Sequence, residues 1–292
     1  MLTGGEGLIG SDLRFFLNEK KERVVLVDTV QKKHIVKYSL ESTINLDTLN
    51  ESLVNNDSSC IFIHAAGIAN VALCEEKPYL AEATNIKLTS SCLEMALSHG
   101  CEKFIFLSTG FIYGDQSKIP HDETASTSII NYYVETKFEA EKLVDDFTRR
   151  NNINGVILRL GNVYSKKSSV ETVIGRVLSQ LNKGWNTIEL FSTKPVRDFL
   201  YIDDLCDALY KVIRAADIEQ NCQVYNLSNG VGVSVQKIIN LLQDLNYPID
   251  VKELRPNMAE SILILNTNKF KNRFIWKPRF DIRSGILEII SK

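Results

Sequence analysis

A tyrosine and a lysine that could cooperate in proton transfer lie four residues apart, Tyr133 and Lys137 in the sequence YVETK. On a helix, residues at this spacing share a face, so the lysine ammonium lies near the tyrosine hydroxyl. A nearby cation favours the phenolate and lowers a pKa that is normally about 10, which suits a tyrosine to general acid–base chemistry. Because the pattern often arises by chance, an exposed helix pair is the alternative interpretation when the pair is taken alone.

A hydroxyl group upstream of the pair favours the chemical interpretation. The apolar run Phe104–Leu107 predicts a strand that leads into Ser108 and Thr109, and Thr109 lies 24 residues before Tyr133. A hydroxyl at the carboxyl end of a strand can hold the substrate oxygen from which Tyr133 removes, or to which it returns, a proton. The three side chains therefore form a candidate acid–base group.

The chain opens with a glycine-rich segment, TGGEGLIG at 3–10, which has the spacing G-x-G-x-x-G from Gly5 to Gly10. Glycines at this spacing permit a tight turn, a close approach of backbone to a pyrophosphate, and the packing of a helix whose N–H groups face the negative charge. The run Val24–Val27 predicts a strand that ends in Asp28, where a carboxylate can accept hydrogen bonds from an adenosine ribose. An acid there favours NAD, because a 2′-phosphate would meet like charge.

Small residues follow another predicted strand, Ile61–His64, which runs into Ala65, Ala66 and Gly67. A nicotinamide dinucleotide can lie against the backbone at this point, because no large side chain stands in the way. We interpret His64 as a core or strand-end histidine rather than as a catalytic residue.

The first strand is unexpectedly short, because only Met1 and Leu2 precede Thr3. A nucleotide-binding loop of this kind normally follows a strand of about five residues. Either the sequence begins inside its first strand or that strand is a stub. We favour the first interpretation, since this strand is central in a doubly wound sheet and its loss would leave both neighbours without hydrogen-bonding partners. As given, the chain is expected to fold poorly or to bind its cofactor weakly.

Short β-branched runs alternate with longer segments of helical periodicity in the N-terminal half. The alternation is typical of an α/β fold, a doubly wound parallel (Rossmann) sheet whose ligand crevice lies at the carboxyl ends of its strands. The predicted strands are Val24–Val27, Ile61–His64, Phe104–Leu107 and Val156–Arg159, and the predicted helices are Ser11–Asn18, Tyr79–Ser98 and Tyr132–Arg150.

The alternation loosens after about residue 162, which predicts a smaller C-terminal α/β lobe. We predict an NAD-binding Rossmann domain over 1–162 and a mainly substrate-binding lobe over 163–292, with about 197–216 returning to the first domain. Prolines and glycines are few, 6 and 15, and no low-complexity linker is evident. The two lobes are therefore expected to share an interface rather than to hang on a tether.

Composition excludes several classes of protein. The 292 residues include 34 Lys plus Arg against 36 Asp plus Glu, with basic residues scattered, so nucleic acid is not an expected partner. No apolar stretch is long enough to cross a bilayer and no secretory signal is evident, which predicts a cytoplasmic protein. Six cysteines occur without a C-x-x-C pair, which favours reduced core thiols over disulfides or a metal site.

The ordered set of motifs resembles the extended short-chain dehydrogenase/reductase family, in particular its nucleotide-sugar epimerases, dehydratases and reductases. The resemblance covers essentially the full chain, and the ordered set is specific even though each member is not. The matching stretches are TGGEGLIG at 3–10, Asp28, HAAG at 64–67, Asn85, LSTGFIYGD at 107–115, YVETK at 133–137, LRLGNVY at 158–164, RDFLYIDDL at 197–205, VYNLSNG at 224–230 and WKP at 276–278.

The resemblance implies catalytic and cofactor-binding roles for named side chains. Thr109, Tyr133 and Lys137 fall on the family's catalytic positions. Tyr133 removes a proton while a hydride passes between a sugar carbon and C4 of the nicotinamide. The residues implied to bind NAD are Gly4, Gly7, Leu8, Ile9, Gly10, Asp28, Ala65, Ala66, Gly67, Asn85, Tyr133 and Lys137.

The resemblance also implies a nucleotide-diphosphate sugar as substrate. Asn162 falls on an asparagine that touches the sugar nucleotide, Arg197 on an arginine that grips its diphosphate, and Arg255 less securely on a second phosphate-binding arginine. Guanidinium groups suit this role because they bind phosphate oxygens in bidentate fashion. A salt bridge from Arg197 to a neighbouring aspartate is the alternative. The pair Asp203-Asp204 is interpreted as the acidic start of a helix.

Three reactions follow from the first step that this family shares. Dehydratases of the group usually carry Asp-Glu directly after the catalytic threonine, whereas this chain has Gly110-Phe111, so dehydration is disfavoured. Asp28 favours an epimerase that recycles NAD and acts on a sugar carbon, expected to be C4. The segment 71–78 resembles a loop of 4-keto-6-deoxysugar reductases, which use NAD(P)H and form the first alternative. A non-catalytic dinucleotide-binding scaffold subunit is the second.

Helices that match Tyr79–Ser98 and Tyr132–Arg150 commonly pair across a dimer interface in the family. The resemblance therefore implies a homodimer. The apolar residues that could form the interface, or could equally face the sheet, are Leu88, Cys92, Met95, Phe138 and Leu143.

Overall fold

The computed structural model describes residues 1–27, 60–114, 119–216 and 221–291, together with the backbone of a strand at 41–44. Up to residue 160 the elements are β1 (Leu2–Thr3), α1 (Leu8–Glu19), β2 (Val24–Val27), β3 (Glu41–Ile44), β4 (Ile61–His64), α2 (Val71–Glu76), α3 (Pro78–Glu82), a π-helical turn (Ala83–Lys87), α4 (Leu88–Ser98), β5 (Lys103–Thr109), a 3-10 turn (Gly110–Tyr113), α5 (Tyr132–Arg150) and β6 (Asn154–Leu160). The later elements are β7 (Asn162–Tyr164), α6 (Val173–Asn182), β8 (Thr187–Leu190), β9 (Val196–Tyr201), α7 (Ile202–Arg214), β10 (Gln223–Leu227), β11 (Gly232–Ser234), α8 (Val235–Asp244), β12 (Asp250–Glu253), β13 (Ile262–Leu263), α9 (Asn268–Phe274) and α10 (Ile282–Ile290).

The largest sheet has seven strands in the order β10-β6-β5-β4-β1-β2-β3. The strands β1, β2, β3, β4 and β5 pair in parallel wherever they are neighbours. The order reverses between β1 and β4, as in a doubly wound nucleotide-binding sheet, and such a sheet presents its ligand crevice at the carboxyl ends of the strands beside that point. The predicted Rossmann fold class is confirmed.

The first strand, β1, is two residues long and lies in the middle of this sheet. Leu2 pairs with Leu26 on one side and with Ile63 on the other. Leu2 and Thr3 are both buried, 1% and 2% exposed. Leu2 and Thr3 therefore connect β2 to β4, and the loop that follows starts at the centre of the sheet.

Helix α5 and strand β5 form the framework of the candidate site. All seven residues of β5 are buried, as expected for a central strand covered on both faces. The 19 residues of α5 begin after Asn131, whose side chain accepts the N–H of Val134, and end with Arg149 and Arg150 near the negative end of the helix dipole. Both helix boundaries agree with the sequence prediction.

The helix predicted over Tyr79–Ser98 is interrupted. It consists of α3, a π-helical turn over Ala83–Lys87, and α4. A π turn inserts one residue into the helical repeat and often occurs at functional sites. In this chain the inserted turn contains the buried Asn85.

The described chain forms two compact units that interleave along the sequence. The first contains Met1–Ile112, Ile129–Arg159 and Cys206–Tyr225. The second contains Tyr113–Ser128, Leu160–Leu205 and Asn226–Lys292. The functional division at residue 162 that the sequence suggests stays a prediction, and the compact units do not follow a single cut in the chain.

A buried lysine ties two distant parts of the first unit together. Lys103, at the start of β5, is 4% exposed. Its Nζ donates hydrogen bonds to the carbonyl oxygens of Val212, Ile213 and Ala215, at 2.8, 3.2 and 2.9 Å. These are carbonyls at the end of α7, which have no partner within the helix, and the cation also lies at the negative end of the helix dipole.

The left-handed residue that ends α9 leads to a stability prediction. Ile275 has φ of 48° and is 88% exposed. A β-branched residue in this conformation is strained by about 1–2 kcal/mol, whereas glycine is not. We expect Ile275→Gly to raise the Tm by about 2 °C, measured by scanning calorimetry. Asn246→Gly is the control, because Asn246 has φ of 65° but asparagine tolerates this region. Equal or lower stability of Ile275→Gly would contradict the prediction.

Candidate active site

The three predicted catalytic side chains meet at the carboxyl end of β5. Thr109 is the last residue of β5, and its Oγ1 accepts the N–H of Phe111 at 3.2 Å. The Thr109 side chain is also hydrogen-bonded to Tyr133, in the first turn of α5. One turn later, Lys137 Nζ donates to the carbonyl oxygen of Leu107 at 2.7 Å. A hydroxyl, a phenol and an amine thus share one buried location, with Thr109, Tyr133 and Lys137 only 5%, 9% and 6% exposed.

The pKa of Tyr133 shifts in the opposite direction to the one that its spacing from Lys137 predicts. Burial raises the pKa of Tyr133 to about 12, and the hydrogen bond with Thr109 opposes this increase. Burial also lowers the pKa of Lys137 to about 8, against the raising effect of Glu141. The Lys137 ammonium lies 4.1 Å from the centre of the Phe106 ring, which stabilises the cation. Burial thus moves the pKa of Tyr133 upward, which is opposite to the direction predicted from its spacing to Lys137 alone.

The glycine-rich segment forms a turn into which no side chain fits. Gly4 has φ of 68°, and a Cβ on it would lie 2.7 Å from the backbone nitrogen of Ala66. A Cβ on Gly10 would lie only 2.1 Å from the carbonyl oxygen of Gly4. Gly7 is the N-cap of α1 and has no side-chain cap, so the N–H groups at the helix start, Leu8 and Ile9 among them, are oriented toward this turn.

This turn fits the pyrophosphate of a dinucleotide. Free N–H groups at a helix N-terminus and a close backbone approach are the two requirements for binding such an anion. Asp28, expected to bind the ribose, lies outside the described residues.

Asn85, which the resemblance places in the NAD site, connects the segment after β4 to helix α5 by hydrogen bonds. Asn85 Oδ1 accepts the N–H of Ile68 at 2.8 Å, and its Nδ2 donates to the Ile68 carbonyl and to Thr136 Oγ1 at 3.1 and 3.0 Å. A Cβ on Gly67 would lie 3.1 Å from Asn85 Oδ1, so glycine allows this close approach. Asn85 therefore fixes the segment after β4 against the catalytic helix, and the π turn places its side chain there.

His64 belongs to a hydrogen-bond chain that the sequence analysis did not find. Its Nδ1 lies 2.7 Å from Thr3 Oγ1, and its Nε2 lies 2.9 Å from Thr89 Oγ1. Thr89 donates its proton to the carbonyl oxygen of Asn85, so the Nε2–H of a neutral His64 donates to Thr89. Thr3 then donates to Nδ1 and accepts from the N–H groups after β4. The interpretation of His64 as a core residue agrees with its burial, 1% exposed.

The burial of His64 predicts a loss of stability in mild acid. Burial, and secondarily Lys137, lowers the pKa of His64 to about 3. The unfolded chain binds a proton to this histidine below pH 6.5 and the folded chain does not, so stability present above pH 6.5 is lost as the pH falls. We expect the free energy of unfolding to be about 2 kcal/mol smaller at pH 5 than at pH 7.5 on this account. Denaturant unfolding at both pH values measures it.

The matched variant for this measurement is His64→Asn, which cannot titrate in this range. Its stability is expected to be lower at pH 7.5, since the two threonine contacts are altered, but less dependent on pH. The same pH dependence in the variant and in the wild type would exclude His64 as its source.

The predicted substrate-binding residues lie in the second unit. The Oδ1 of Asn162, the first residue of β7, is buried and has no hydrogen-bond partner among the residues that the structure describes. An unpartnered buried acceptor is costly, so a ligand donor is the natural partner for it. Arg197, on β9, donates from one guanidinium nitrogen to the carbonyl oxygens of Val196 and Ser261 at 2.9 and 2.7 Å.

The neighbouring aspartates have other partners. Asp198 accepts hydrogen bonds from Ser228 and from the Gly230 backbone, and burial raises its pKa to about 6. Asp204 lies in the first turn of α7, as predicted, and accepts the backbone N–H groups of Arg279 and Phe280.

An exposed aromatic ring beside two arginines was missed by the sequence analysis. Phe191 follows β8 and is 44% exposed. The guanidinium carbons of Arg176 and Arg255 lie 4.5 and 5.0 Å from the centre of its ring. The backbone N–H of Arg255 also donates to the Phe191 carbonyl at 2.7 Å. The sequence signal was weak, because the three residues come from separate elements and only Arg255 was singled out.

The described residues show neither a metal-binding cluster nor a membrane-spanning helix. Within the described parts of the chain, no three His, Cys, Asp or Glu side chains are grouped so that they could hold a metal ion. No described helix combines the length and the apolar character of a membrane span. All six cysteines are free thiols, five of them buried.

A model of a known protein family matches most of this chain. The family model described as the NAD dependent epimerase/dehydratase family matches residues 1–228. This chain belongs to that family. The predicted family, its Rossmann fold, an enzyme of this class and NAD as cofactor are therefore confirmed.

Individual relatives in the epimerase/dehydratase family agree with the epimerase prediction. UDP-glucose 4-epimerase of Halalkalibacterium halodurans is 27% identical over 311 residues, which cover 99% of this chain and 93% of the relative. The putative UDP-glucose 4-epimerase of Methanocaldococcus jannaschii is 25% identical and covers 100% and 97%. The crystal structure of Thermotoga maritima UDP-glucose 4-epimerase with UDP-glucose has a TM-score of 0.84 at 25% identity, covering 99% and 97%. The reductase and scaffold alternatives are not favoured.

Proposed function

We propose that this protein is an NAD-dependent epimerase that inverts the C4 hydroxyl of a UDP-hexose. The observation that carries the proposal is the contact of Thr109 with Tyr133 beside the buried Lys137, at the carboxyl end of β5. The relatives named as UDP-glucose 4-epimerases support the substrate class, since they match this chain over nearly its whole length.

Tyr133 is the proposed acid–base residue. Its phenolate accepts the proton of the sugar C4 hydroxyl, and its phenol returns that proton when the sugar is reduced on the opposite face. The Thr109 hydroxyl holds the same sugar oxygen and lowers the pKa of Tyr133 against the effect of burial. Bound NAD supplies the hydride acceptor, the hydride donor and a positive ring that also favours the phenolate.

Lys137 is the proposed electrostatic partner of the tyrosine. Its ammonium is fixed by the Leu107 carbonyl and the Phe106 ring, so its charge is held at a buried position one helical turn after Tyr133. Low polarity around the pair strengthens the attraction of the cation for a developing phenolate. Protonated Lys137 therefore favours proton removal from the substrate.

The second unit supplies the proposed groups for the nucleotide diphosphate. Asn162 offers a buried acceptor without a partner among the described residues, and Arg197 and Arg255 carry the positive charge that a diphosphate requires. Phe191 presents a partly exposed ring near Arg176 and Arg255, and a planar base can stack on its exposed surface. On such a surface the arginines can bind the diphosphate and the aromatic ring can bind the base of a uridine diphosphate.

The test is an assay of purified protein with UDP-glucose and UDP-galactose. The expected result is interconversion of the two sugars, detected by chromatography or NMR, with no net consumption of reduced nicotinamide. Stoichiometric loss of reduced nicotinamide would indicate a reductase. Bound NAD with no conversion of either sugar would contradict the proposed reaction.

A change at the aromatic ring tests the substrate-binding proposal separately. Phe191→Leu is expected to raise the KM for the UDP-sugar about tenfold and to leave kcat within about twofold, because stacking of one base contributes about 1–3 kcal/mol. Trp185→Leu is the matched control, since Trp185 is also exposed, 47%, and belongs to the same unit. Unchanged kinetics in Phe191→Leu would remove this ring from the site.

A homodimer remains part of the proposal. Cys92 is buried in the core cluster beneath α4 and α5, and Leu88, Met95 and Leu143 are partly buried against it. A dimer interface on these helices would therefore use their remaining exposed surface. The molar mass measured by light scattering tests the homodimer.

A further inference from the structure

A buried carboxylate lies one helical turn beyond the catalytic lysine. Glu141 is four residues after Lys137 on α5 and is 4% exposed. Its Oε1 accepts the hydroxyl proton of Ser108 at 2.5 Å. Arg159, on β6, donates from Nε to both carboxylate oxygens at 3.2 Å and from a terminal nitrogen to Oε2 at 2.8 Å. The carboxylate therefore bonds two strands from one position on the helix.

The contacts of Lys137 and Glu141 fall on consecutive residues of β5. Lys137 donates to the carbonyl oxygen of Leu107, and Glu141 accepts from the side chain of Ser108. The next residue of β5 is Thr109. Its side chain is hydrogen-bonded to Tyr133, which lies one turn before Lys137 on α5. Two contacts spaced by one helical turn prevent α5 from sliding or rotating against the end of β5. The distance between the Thr109 and Tyr133 hydroxyl groups depends on this position of α5 relative to β5.

The carboxylate also acts on the charge of Lys137. Burial lowers the pKa of Lys137, and the negative charge of Glu141 opposes that shift. His64 on β4 also interacts electrostatically with this lysine, Tyr133 lies one turn earlier on α5, and Arg159 on β6 is bound to Glu141. His64 is neutral near pH 7, since burial brings its pKa to about 3, and Arg159 is paired with Glu141 itself. Glu141 is thus the group that favours the ammonium form.

We propose that Glu141 is a positioning residue for the epimerase reaction: it fixes the register of α5 against β5 through Ser108 and places a buried negative charge one helical turn from Lys137. The inference rests on the proposed function for the reaction. The effect on the strand rests on the contact with Ser108, and the effect on Lys137 rests on the buried position of Glu141 one helical turn away. Arg159 completes the arrangement by neutralising a carboxylate that would otherwise be buried as a lone charge.

The two effects can be separated by substitution. The double variant Glu141→Gln/Arg159→Gln removes both buried charges together and leaves amides that can bond each other and the Ser108 hydroxyl. Ser108→Ala removes the contact with the strand and leaves the ion pair in place. Glu139→Gln is the control on the same helix, because Glu139 is partly exposed and pairs with Lys142 near the surface.

Two measurements are made on each variant. The first is kcat and KM for UDP-galactose as functions of pH with bound NAD. The second is the 13C shift of the lysine ε-carbon as a function of pH, with the Lys137 signal assigned by its loss in Lys137→Met. The second measurement requires no turnover.

The double variant is expected to have a kcat about tenfold lower with KM within about twofold. Its alkaline loss of activity and its Lys137 titration both move to lower pH, by about one pH unit. Ser108→Ala is expected to lower kcat several-fold with the Lys137 titration unchanged, and Glu139→Gln is expected to match the wild type.

A folded double variant with wild-type kcat and an unchanged Lys137 titration would overturn the proposal and leave Glu141 a purely structural residue. If the double variant does not fold, Ser108→Ala decides. A kcat equal to that of the wild type in this variant would overturn the proposal that the Ser108 contact positions α5 against β5. Absence of turnover in the wild type, together with a shifted Lys137 titration in the double variant, would refute the proposed function and support the effect of Glu141 on the lysine.

Discussion

Replacing Tyr133 by phenylalanine is expected to lower kcat about 1000-fold while NAD stays bound. The substitution removes one oxygen atom, so the ring keeps its buried packing at the start of α5. The phenol is the group that contacts Thr109, and the amine of Lys137 points instead to the Leu107 carbonyl. No other side chain in this contact set can therefore take over the proton transfer from the C4 hydroxyl.

The matched control for this variant is Tyr132→Phe. Tyr132 is adjacent in sequence and its backbone N–H is bonded to Glu75, a contact that the substitution preserves. Turnover of UDP-galactose and the amount of NAD that copurifies are measured for both variants. Equal activity of Tyr133→Phe and wild type would remove Tyr133 from the mechanism, and loss of NAD from it would show a structural effect.

Gly10→Ala is expected to lower the affinity for NAD at least 100-fold. The added Cβ would lie 2.1 Å from the Gly4 carbonyl oxygen and 2.9 Å from the Gly5 Cα, so the turn must open to accommodate it. The N–H groups at the start of α1 then lose their fixed position relative to the pyrophosphate, and the anion site depends on that position. Overpacking of this kind also costs about 1–3 kcal/mol of stability.

A second glycine separates loss of stability from loss of the cofactor site. Gly100 has φ of 62° with nothing within 4 Å of its added Cβ, so Gly100→Ala strains the backbone without a collision. This control is expected to have a lower Tm and unchanged NAD affinity, measured by calorimetric titration on both variants. Unaltered NAD affinity in Gly10→Ala would place the pyrophosphate elsewhere.

Sequence reasoning recovered the elements whose pattern is local. The strands Val24–Val27 and Ile61–His64 and the helix Tyr132–Arg150 have the predicted boundaries. Short β-branched runs and an amphipathic repeat fix these elements without knowledge of their partners. The grouping of Thr109, Tyr133 and Lys137 was also predictable, because the carboxyl end of a parallel strand and the following helix meet at the same edge of the sheet.

The rest depends on contacts between distant residues. The direction of the pKa shift of Tyr133 follows from burial, which the spacing of Tyr133 and Lys137 does not reveal. The partners of Glu141 lie 33 and 18 residues away along the chain, on two different strands. The π turn around Asn85 has no clear sequence signal, because each residue in it is an acceptable helix former. The role of Asp28 and the homodimer stay predictions.

The bonds between Lys103 and the end of α7 have a consequence for synthesis on the ribosome. The ammonium on β5 finds its three carbonyl acceptors only once the nascent polypeptide has grown past Ala215. Until then, a central strand carries a buried cation that lacks these three acceptors, which is unfavourable. The nucleotide-binding unit must therefore mature late, only after its own segment Cys206–Tyr225 has begun to emerge from the exit tunnel.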